Sequence, residues 1–295
     1  MSDISESDCI THLLCEGAQH IKRLSHKNNR AIFSVILNGQ KYAVKFFVKS
    51  GNGVTYPFVA HCDILPSIKS YAEHQWRHIV LPDIVRVQPD TIAGPAVWMT
   101  WVQGSQIKTQ DDSLLLDTLF PLLNELKSIP VDFLIPLGLR FYQQKEIHKD
   151  LRKSIGSLVK SETIKRSDIH CIENAMTPLY EIEDSRPFII SNEDFRAANL
   201  LRVNNHQIAI IDWDGLRASQ FEIEHCLAHM LLFLTEEPET YKRLIDTVST
   251  SRLVDVEIFK ACCVLRSIIQ LRFWQHQPIK KRFLMDSLNK TLSLN

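Results

Sequence analysis

The sequence predicts an α+β protein in two parts, a small β-rich N-terminal lobe followed by a larger, mostly helical C-terminal lobe. Three observations predict it. A strong hairpin pattern occupies residues 31–48, helical spacing dominates after residue 113, and one short hairpin at 200–211 interrupts the helices. At 295 residues the chain is long for one domain and natural for two. The expected division is a β-rich lobe over residues 1–102 and a helical lobe over 103–295.

Residues 31–37 are apolar and β-branched, Asn38-Gly39 is a type I′ turn signal, and residues 41–48 alternate. A helix is expected near 68–79. Residues 97–102 read as a strand that runs into a connector at Gln103-Gly104. Residues 113–128 carry apolar residues at helical spacing with Pro130 beyond their end. Further helices are expected at 219–235, 239–248, 253–275 and 281–293. Between them, strands at 200–203 and 208–211 are joined by a turn at Asn204-Asn205.

Composition excludes several classes. Hydrophobic residues make up 45% and charged residues 23%, an ordinary globular balance. With 34 basic and 34 acidic residues the formal charge is zero, which gives no electrostatic ground for binding nucleic acid. No apolar run reaches the length of a membrane span. The N-terminus is acidic and lacks the pattern of a signal peptide. The cysteines (9, 15, 62, 171, 226, 262 and 263) are odd in number and form no CxxC pair, so a disulfide framework or structural zinc is not expected. A reducing cytoplasm suits them.

Chemistry concentrates between Ile189 and Gly215. Asn199 immediately precedes the first strand of the late hairpin and Asp212 immediately follows the second, so both are expected at its open end. Asp194 lies on the loop that enters the hairpin. Three oxygen-bearing side chains are thereby expected at one spot. A small all-oxygen set suits Mg²⁺, which keeps waters and takes further ligands from phosphates. Asp194 would then accept a proton from a substrate hydroxyl, as phosphoryl transfer requires. The cation for the phosphates is Lys45, in mid-strand between apolar residues. Lysine is rarely buried unpaired. Glu73, the one glutamate between Lys45 and the connector strand, is its expected partner.

In these residues the chain resembles the aminoglycoside-phosphotransferase and choline-kinase-like group of the protein-kinase-like bilobal fold. The group's HxDxxxxN loop is matched by residues 192–199, and its IDW/IDF segment by Ile211-Asp212-Trp213. The strand lysine matches Lys45, the helix glutamate Glu73, and the hinge residues 99–104. The resemblance implies a kinase that moves the γ-phosphate of ATP to a hydroxyl of a small molecule, with ATP and Mg²⁺ as cofactors. It implies that Asp194 is the base and that Asn199 and Asp212 hold Mg²⁺. Lys45, held by Glu73, would meet the α- and β-phosphates, and the backbone at Thr100, Trp101 and Val102 would meet the adenine. Arg196 would approach the γ-phosphate.

The chain departs from the group in four places. Asn192 stands where a histidine is usual, and an asparagine still hydrogen-bonds backbone. The expected phosphate loop, residues 25–30, has no glycine, which leaves backbone amides, Ser25 and Asn28 to meet phosphates. Glu224 replaces the usual aspartate ahead of a helix, and Ala197 replaces a common proline. Residues 252–295 carry a net charge of +5, which disfavours a polycationic acceptor. His225 and His229, four apart, read as partly buried helix histidines rather than metal ligands. A catalytically silent nucleotide-binding scaffold and a protein kinase remain as alternatives. The short run from Trp213 to the next helix leaves little room for the peptide-docking segment of a protein kinase.

Overall fold

The computed structural model describes residues 4–27, 29–48, 55–107, 112–233 and 238–292. In chain order the elements are α1 (Glu6–Cys15), β1 (Gln19–Lys27), β2 (Arg30–Leu37), β3 (Gln40–Phe47), α2 (Tyr56–Val59) and α3 (Leu65–Ala72). A π-helical turn, Ala60–Ile64, joins the last two. There follow β4 (Ile79–Val80), β5 (Ile84–Gln88), β6 (Ala96–Thr100), β7 (Ser105–Gln106), α4 (Asp112–Lys127), α5 (Gln144–Lys160), α6 (Ile169–Ala175) and α7 (Thr177–Tyr180). The rest are β8 (Ile189–Asn192), β9 (Leu200–Arg202), β10 (Ile208–Ile210), β11 (Leu216–Ser219), α8 (Glu222–Phe233), α9 (Pro238–Thr250), α10 (Val256–Trp274) and α11 (Pro278–Leu292).

The chain forms two units. The first comprises Met1–Gln106, Asp132–Leu139 and Leu200–Leu216, and the second the remaining segments. The first unit thus takes up the late hairpin as well as the N-terminal strands.

Within the first unit, five strands form an antiparallel sheet in the order β1-β2-β3-β6-β5. The expected hairpin is β2–β3. Its turn residues Asn38 and Gly39 both have positive φ, 51° and 78°, as a type I′ turn requires. Alternation along β3 sorts its side chains onto two faces. Val44 and Phe46 join Phe33, Val35 and Trp98 in a core that α1 covers with Cys9 and Leu13. Phe47 lies on the other face with Val97 and Phe58, and Lys45 shares that face by register. Helix α1 opens at Ser5, whose hydroxyl accepts from the Asp8 amide. Gly94 is forced by close approach: a Cβ there would meet the Phe47 carbonyl oxygen at 2.5 Å.

A second sheet of the first unit runs β4-β10-β9-β7. It corrects the helix expected at 68–79. That helix ends at Ala72, because Ile79 and Val80 are drawn into a parallel pairing with Ile208 and Ala209. A strand bonded to residues well over a hundred positions away leaves no periodic trace locally.

The second unit is built around α10, whose residues 258–268 are nearly all buried. Helices α5, α8 and α11 pack on it. Its N-cap is Asp255, which accepts from the amides of Glu257 and Ile258. Cys262 and Cys263 are buried in it as small apolar groups. Helix α5 buries Ile147, Leu151, Ile155 and Leu158 at helical spacing and turns a basic face outward.

Candidate active site

In the first unit the site begins with Lys45. Its β3 neighbours Val44 and Phe46 occupy the α1-side core, so alternation sends Lys45 to the opposite face, where only 1% of it is exposed. Its Nζ lies 2.7 Å from Asp212 Oδ1 and also donates to Asp214. Arg30, the first residue of β2, donates to the same two carboxylates, at 3.1 Å to Asp212 Oδ1. Among the described residues, two cations therefore meet two carboxylates.

The segment carrying those carboxylates is held by its own chain. Leu200 pairs with Ile210 at the open end of the β9–β10 hairpin. Just beyond, Asp212 adopts left-handed backbone (φ 64°, ψ 65°). Such a conformation in a non-glycine residue costs about 1–3 kcal/mol and persists only where surrounding structure enforces it. Here the Trp213 indole donates to the Ile210 carbonyl at 2.8 Å, and the Tyr56 hydroxyl donates to the Leu216 carbonyl at 2.6 Å. Burial works against a charge on Asp212, but Lys45 and then Arg30 outweigh it and hold the carboxyl at about 2.

The expected Lys45–Glu73 pair does not form. Glu73 caps the exposed end of α3, and Lys45 is paired with Asp212 and Asp214 instead. The residue of this helical region that faces the cluster is His61. It is buried in the π-helical turn, donates through Nδ1 to the Pro57 carbonyl at 2.7 Å, and stands 3.8 Å from Asp214. Desolvation, and then Lys45, push its pKa down to about 4, so the ring is neutral at pH 7.

The connector follows β6. Thr100 is committed within the sheet: its amide donates to the Asp83 carbonyl at 2.9 Å and its hydroxyl accepts from the Asp83 amide at 2.8 Å. Trp101 is half-buried and lies beneath the Lys41 ammonium, 3.7 Å from its ring centroid. Val102 lies outside any strand, and its amide makes no hydrogen bond among the described residues. Ser25 is half-buried on β1 beside a register shift. Asn28 lies outside the described residues.

In the second unit, β8 delivers the loop that carries Asp194. The buried Asn192 accepts from the Asp194 amide at 3.1 Å, so the asparagine supports the loop through backbone. Asn199 Nδ2 donates to the Asp194 carbonyl at 2.8 Å and to its Oδ2 at 3.2 Å. That leaves the Asn199 Oδ1, a neutral oxygen of the kind a hard cation takes. Arg196 Nη2 stands 3.0 Å from Asp194 Oδ2. Asp194 keeps 37% of its side chain exposed.

Helix α8 backs this loop with its histidines. His229 donates through Nδ1 to the Glu193 carbonyl at 2.9 Å, while its Nε2 accepts from the buried Arg266 at 2.7 Å. Those two bonds fix a neutral tautomer. Behind it, Arg217 lies against Glu222 at 3.4 Å and over the Tyr142 ring at 3.9 Å, and donates to His225 at 3.0 Å. Glu222 also accepts from Ser219 at 2.7 Å. Burial opposes its charge, but Arg217 prevails and holds it at about 2. Desolvation, then Arg217, holds His225 at about 4. Glu224 accepts from Arg186 at 2.5 Å and from the Asp255 amide at 2.9 Å, which ties α8 to the start of α10.

Three histidines are therefore kept neutral by the fold: His61, His225 and His229. Unfolded, each titrates near 6.5. Below that pH the unfolded chain binds more protons, so stability is complete above about 6.5 and falls as pH drops toward 4. The expected slope is about 1.4 kcal/mol per pH unit for each histidine, read from urea midpoints at pH 7.5, 6 and 5. A flat profile would contradict these environments.

The structure thus brings Lys45 to Asp212 in one unit, and Asp194 to Arg196 and Asn199 in the other. Glu73 joins neither. The reading of the sequence missed Arg30, Asp214 and His61. Asp214 had a signal, the second carboxylate of Asp212-Trp213-Asp214. Arg30 had one also, as the cation ending the glycine-free loop. His61 had none, because it is buried by a local π-turn.

Among the described residues no group of three or more His, Cys, Asp or Glu side chains is gathered to hold a metal ion.

Across the whole chain, the fold is similar to that of a thermostable mutant of aminoglycoside phosphotransferase APH(4)-Ia, in ternary complex with ADP and hygromycin B. The TM-score is 0.68 at 10% identity, with 98% of each chain covered. The GDP and kanamycin complex of APH(2")-IIia is similar at a TM-score of 0.69 and 13% identity, covering 97% of this chain and 99% of that one. The GDP complex of an aminoglycoside 2'-phosphotransferase-IIIa mutant gives 0.65 at 15%, covering 99% and 98%. No curated protein matches the sequence. At these identities the likeness is one of fold. The sequence itself matches the family described as APH, phosphotransferase enzyme family, over residues 20–242. A match across most of the chain, on a protein-kinase-like α+β fold, makes this chain a member of the phosphotransferase enzyme family, a small-molecule kinase.

Proposed function

We propose that the chain transfers the γ-phosphate of ATP to a hydroxyl of a small molecule, with Asp194 as the base. The acceptor oxygen bonds to the γ-phosphorus as its proton passes to Asp194, and the bond from the γ-phosphorus to the β–γ bridging oxygen breaks to release ADP. The observation that carries this reading is Lys45. A lysine 1% exposed, ion-paired to the aspartate that follows β10, suits α- and β-phosphates and costs too much desolvation to be a casual surface charge. Arg196 approaches the γ-phosphate, and the Val102 amide serves the adenine. Ser25 and Asn28 contribute to the phosphate loop. Asp212 and Asn199 hold Mg²⁺, on the strength of their order in the chain and of family membership. Bound there, Mg²⁺ supplies neutralisation of the charge that builds on the β- and γ-phosphate oxygens.

The acceptor is a small hydroxylated molecule. Hygromycin B and kanamycin occupy the related structures, but the net charge of +5 over residues 252–295 argues against a polycation here. No described helix is long and apolar enough to cross a membrane. All seven cysteines are free, which suits a cytoplasmic setting.

The test is a thermal shift with ATP, with and without Mg²⁺, on the wild type and on Asp212→Asn. A ligand at a hundred times its Kd stabilises by ~2.7 kcal/mol. The expected result is a Mg²⁺-dependent shift that the substitution abolishes. No shift with any nucleotide would sink the proposal.

A further inference from the structure

The segment 25–30, expected as a phosphate loop, has no glycine. Glycine-rich phosphate loops work because the missing Cβ lets backbone amides approach the oxygens closely. Where every residue carries a Cβ, a side chain is well placed to supply that contact. Ser25 to Lys27 lie on β1 and Arg30 opens β2, and register determines where Arg30 points. On β2, Ile32 pairs with Lys45 and Arg30 with Phe47. Directly paired residues share a face, so Arg30 and Lys45 lie on the same side of the sheet. Arg30 is drawn in to 15% exposure of its side chain and donates to Asp212 and Asp214, the carboxylates that Lys45 also holds.

Among the described residues this cluster sets two carboxylates against two cations, and Arg30 and Lys45 both donate to Asp212 Oδ1. A metal-bound nucleoside triphosphate changes both terms. The metal competes for Asp212, and the phosphates offer a guanidinium a better partner, since its planar fork matches phosphate oxygens in pairs. Lys45 is fixed in mid-strand and remains.

We propose that Arg30 is the phosphate-recognising cation of this chain, standing in for a glycine-rich loop and parked on Asp212 and Asp214 until a metal-bound nucleotide displaces it. The inference rests on the phosphotransfer reading above and adds a residue to it.

The test is calorimetric binding of ATP, ADP and adenosine in Mg²⁺, and of Mn²⁺ alone, to the wild type, Arg30→Ala and Arg30→Lys. Loss of charge-assisted hydrogen bonds to phosphate predicts that Arg30→Ala weakens ATP by about 10- to 100-fold. Adenosine, which has no phosphate, should keep its affinity within about twofold, and Arg30→Lys should recover part of the loss. Mn²⁺ alone should bind Arg30→Ala more tightly, because the competing cation is gone. Equal ATP affinity in the wild type and Arg30→Ala would overturn this inference alone. A parallel loss of ATP and adenosine, with no recovery in Arg30→Lys, would also overturn it, since that is the mark of a merely structural residue. A wild type that binds no nucleotide would overturn the phosphotransfer reading and this inference with it.

Discussion

Asp194→Asn is expected to lower kcat by about a thousandfold, within the 10²–10⁴ range of a positioned general base, and to leave the Kd of ATP nearly unchanged. The substitution is nearly isosteric. An asparagine oxygen still accepts from Asn199 Nδ2, and the main-chain bonds at residue 194 to Asn192 and Asn199 do not involve the side chain. What disappears is an exposed carboxylate able to take a proton. Arg196 loses its ionic partner at 3.0 Å, a loss screened by solvent at this exposure. Single-turnover phosphate transfer and nucleotide titration separate the two effects. A variant that keeps full turnover would remove Asp194 from the chemistry. One that loses nucleotide affinity in parallel would make it a binding residue.

Glu222→Ala is expected to cost about 3–5 kcal/mol of stability, the penalty for leaving a buried partner charge uncompensated. Glu222 is 0% exposed, and its carboxylate faces Arg217, Ser219 and His225, all buried. Without it the Arg217 guanidinium keeps Tyr142 and His225 but no close carboxylate; Glu193 Oε1 is 3.9 Å away and half exposed. The double variant Arg217→Met, Glu222→Leu should be markedly less destabilised than the sum of its single changes, since it removes both charges together. Urea midpoints for the four proteins complete the cycle. Additive losses would show that the two side chains are not energetically coupled.

The parts of the fold and site legible in the sequence are those that local chemistry encodes. Asn38-Gly39 specified its hairpin because only residues tolerant of positive φ close a type I′ turn. Apolar spacing located α8 to α11 within a few residues. The loop from Asn192 to Asn199 was readable because its asparagines and aspartate bond within a few positions of one another. Helix α1 was missed among apparent strands, although Ser5 caps it and Cys9 and Leu13 give it a buried face. Helix α5 was not singled out, since its mean composition is polar and only its spacing is apolar.

The sequence by itself determined the α+β plan, the β2–β3 hairpin and the late helices α8 to α11. Each follows from residue type, periodicity or spacing within a short stretch. Only the tertiary structure decided who partners Lys45. A buried ammonium takes whichever carboxylates the fold brings within bonding distance. Here those are Asp212 and Asp214, with Arg30 completing the cluster and His61 closing its side, while Glu73 stays in solvent. Their separation along the chain, 167 residues for Lys45 and Asp212, leaves no local trace, because long-range ion pairing depends on strand register and burial rather than on sequence neighbours.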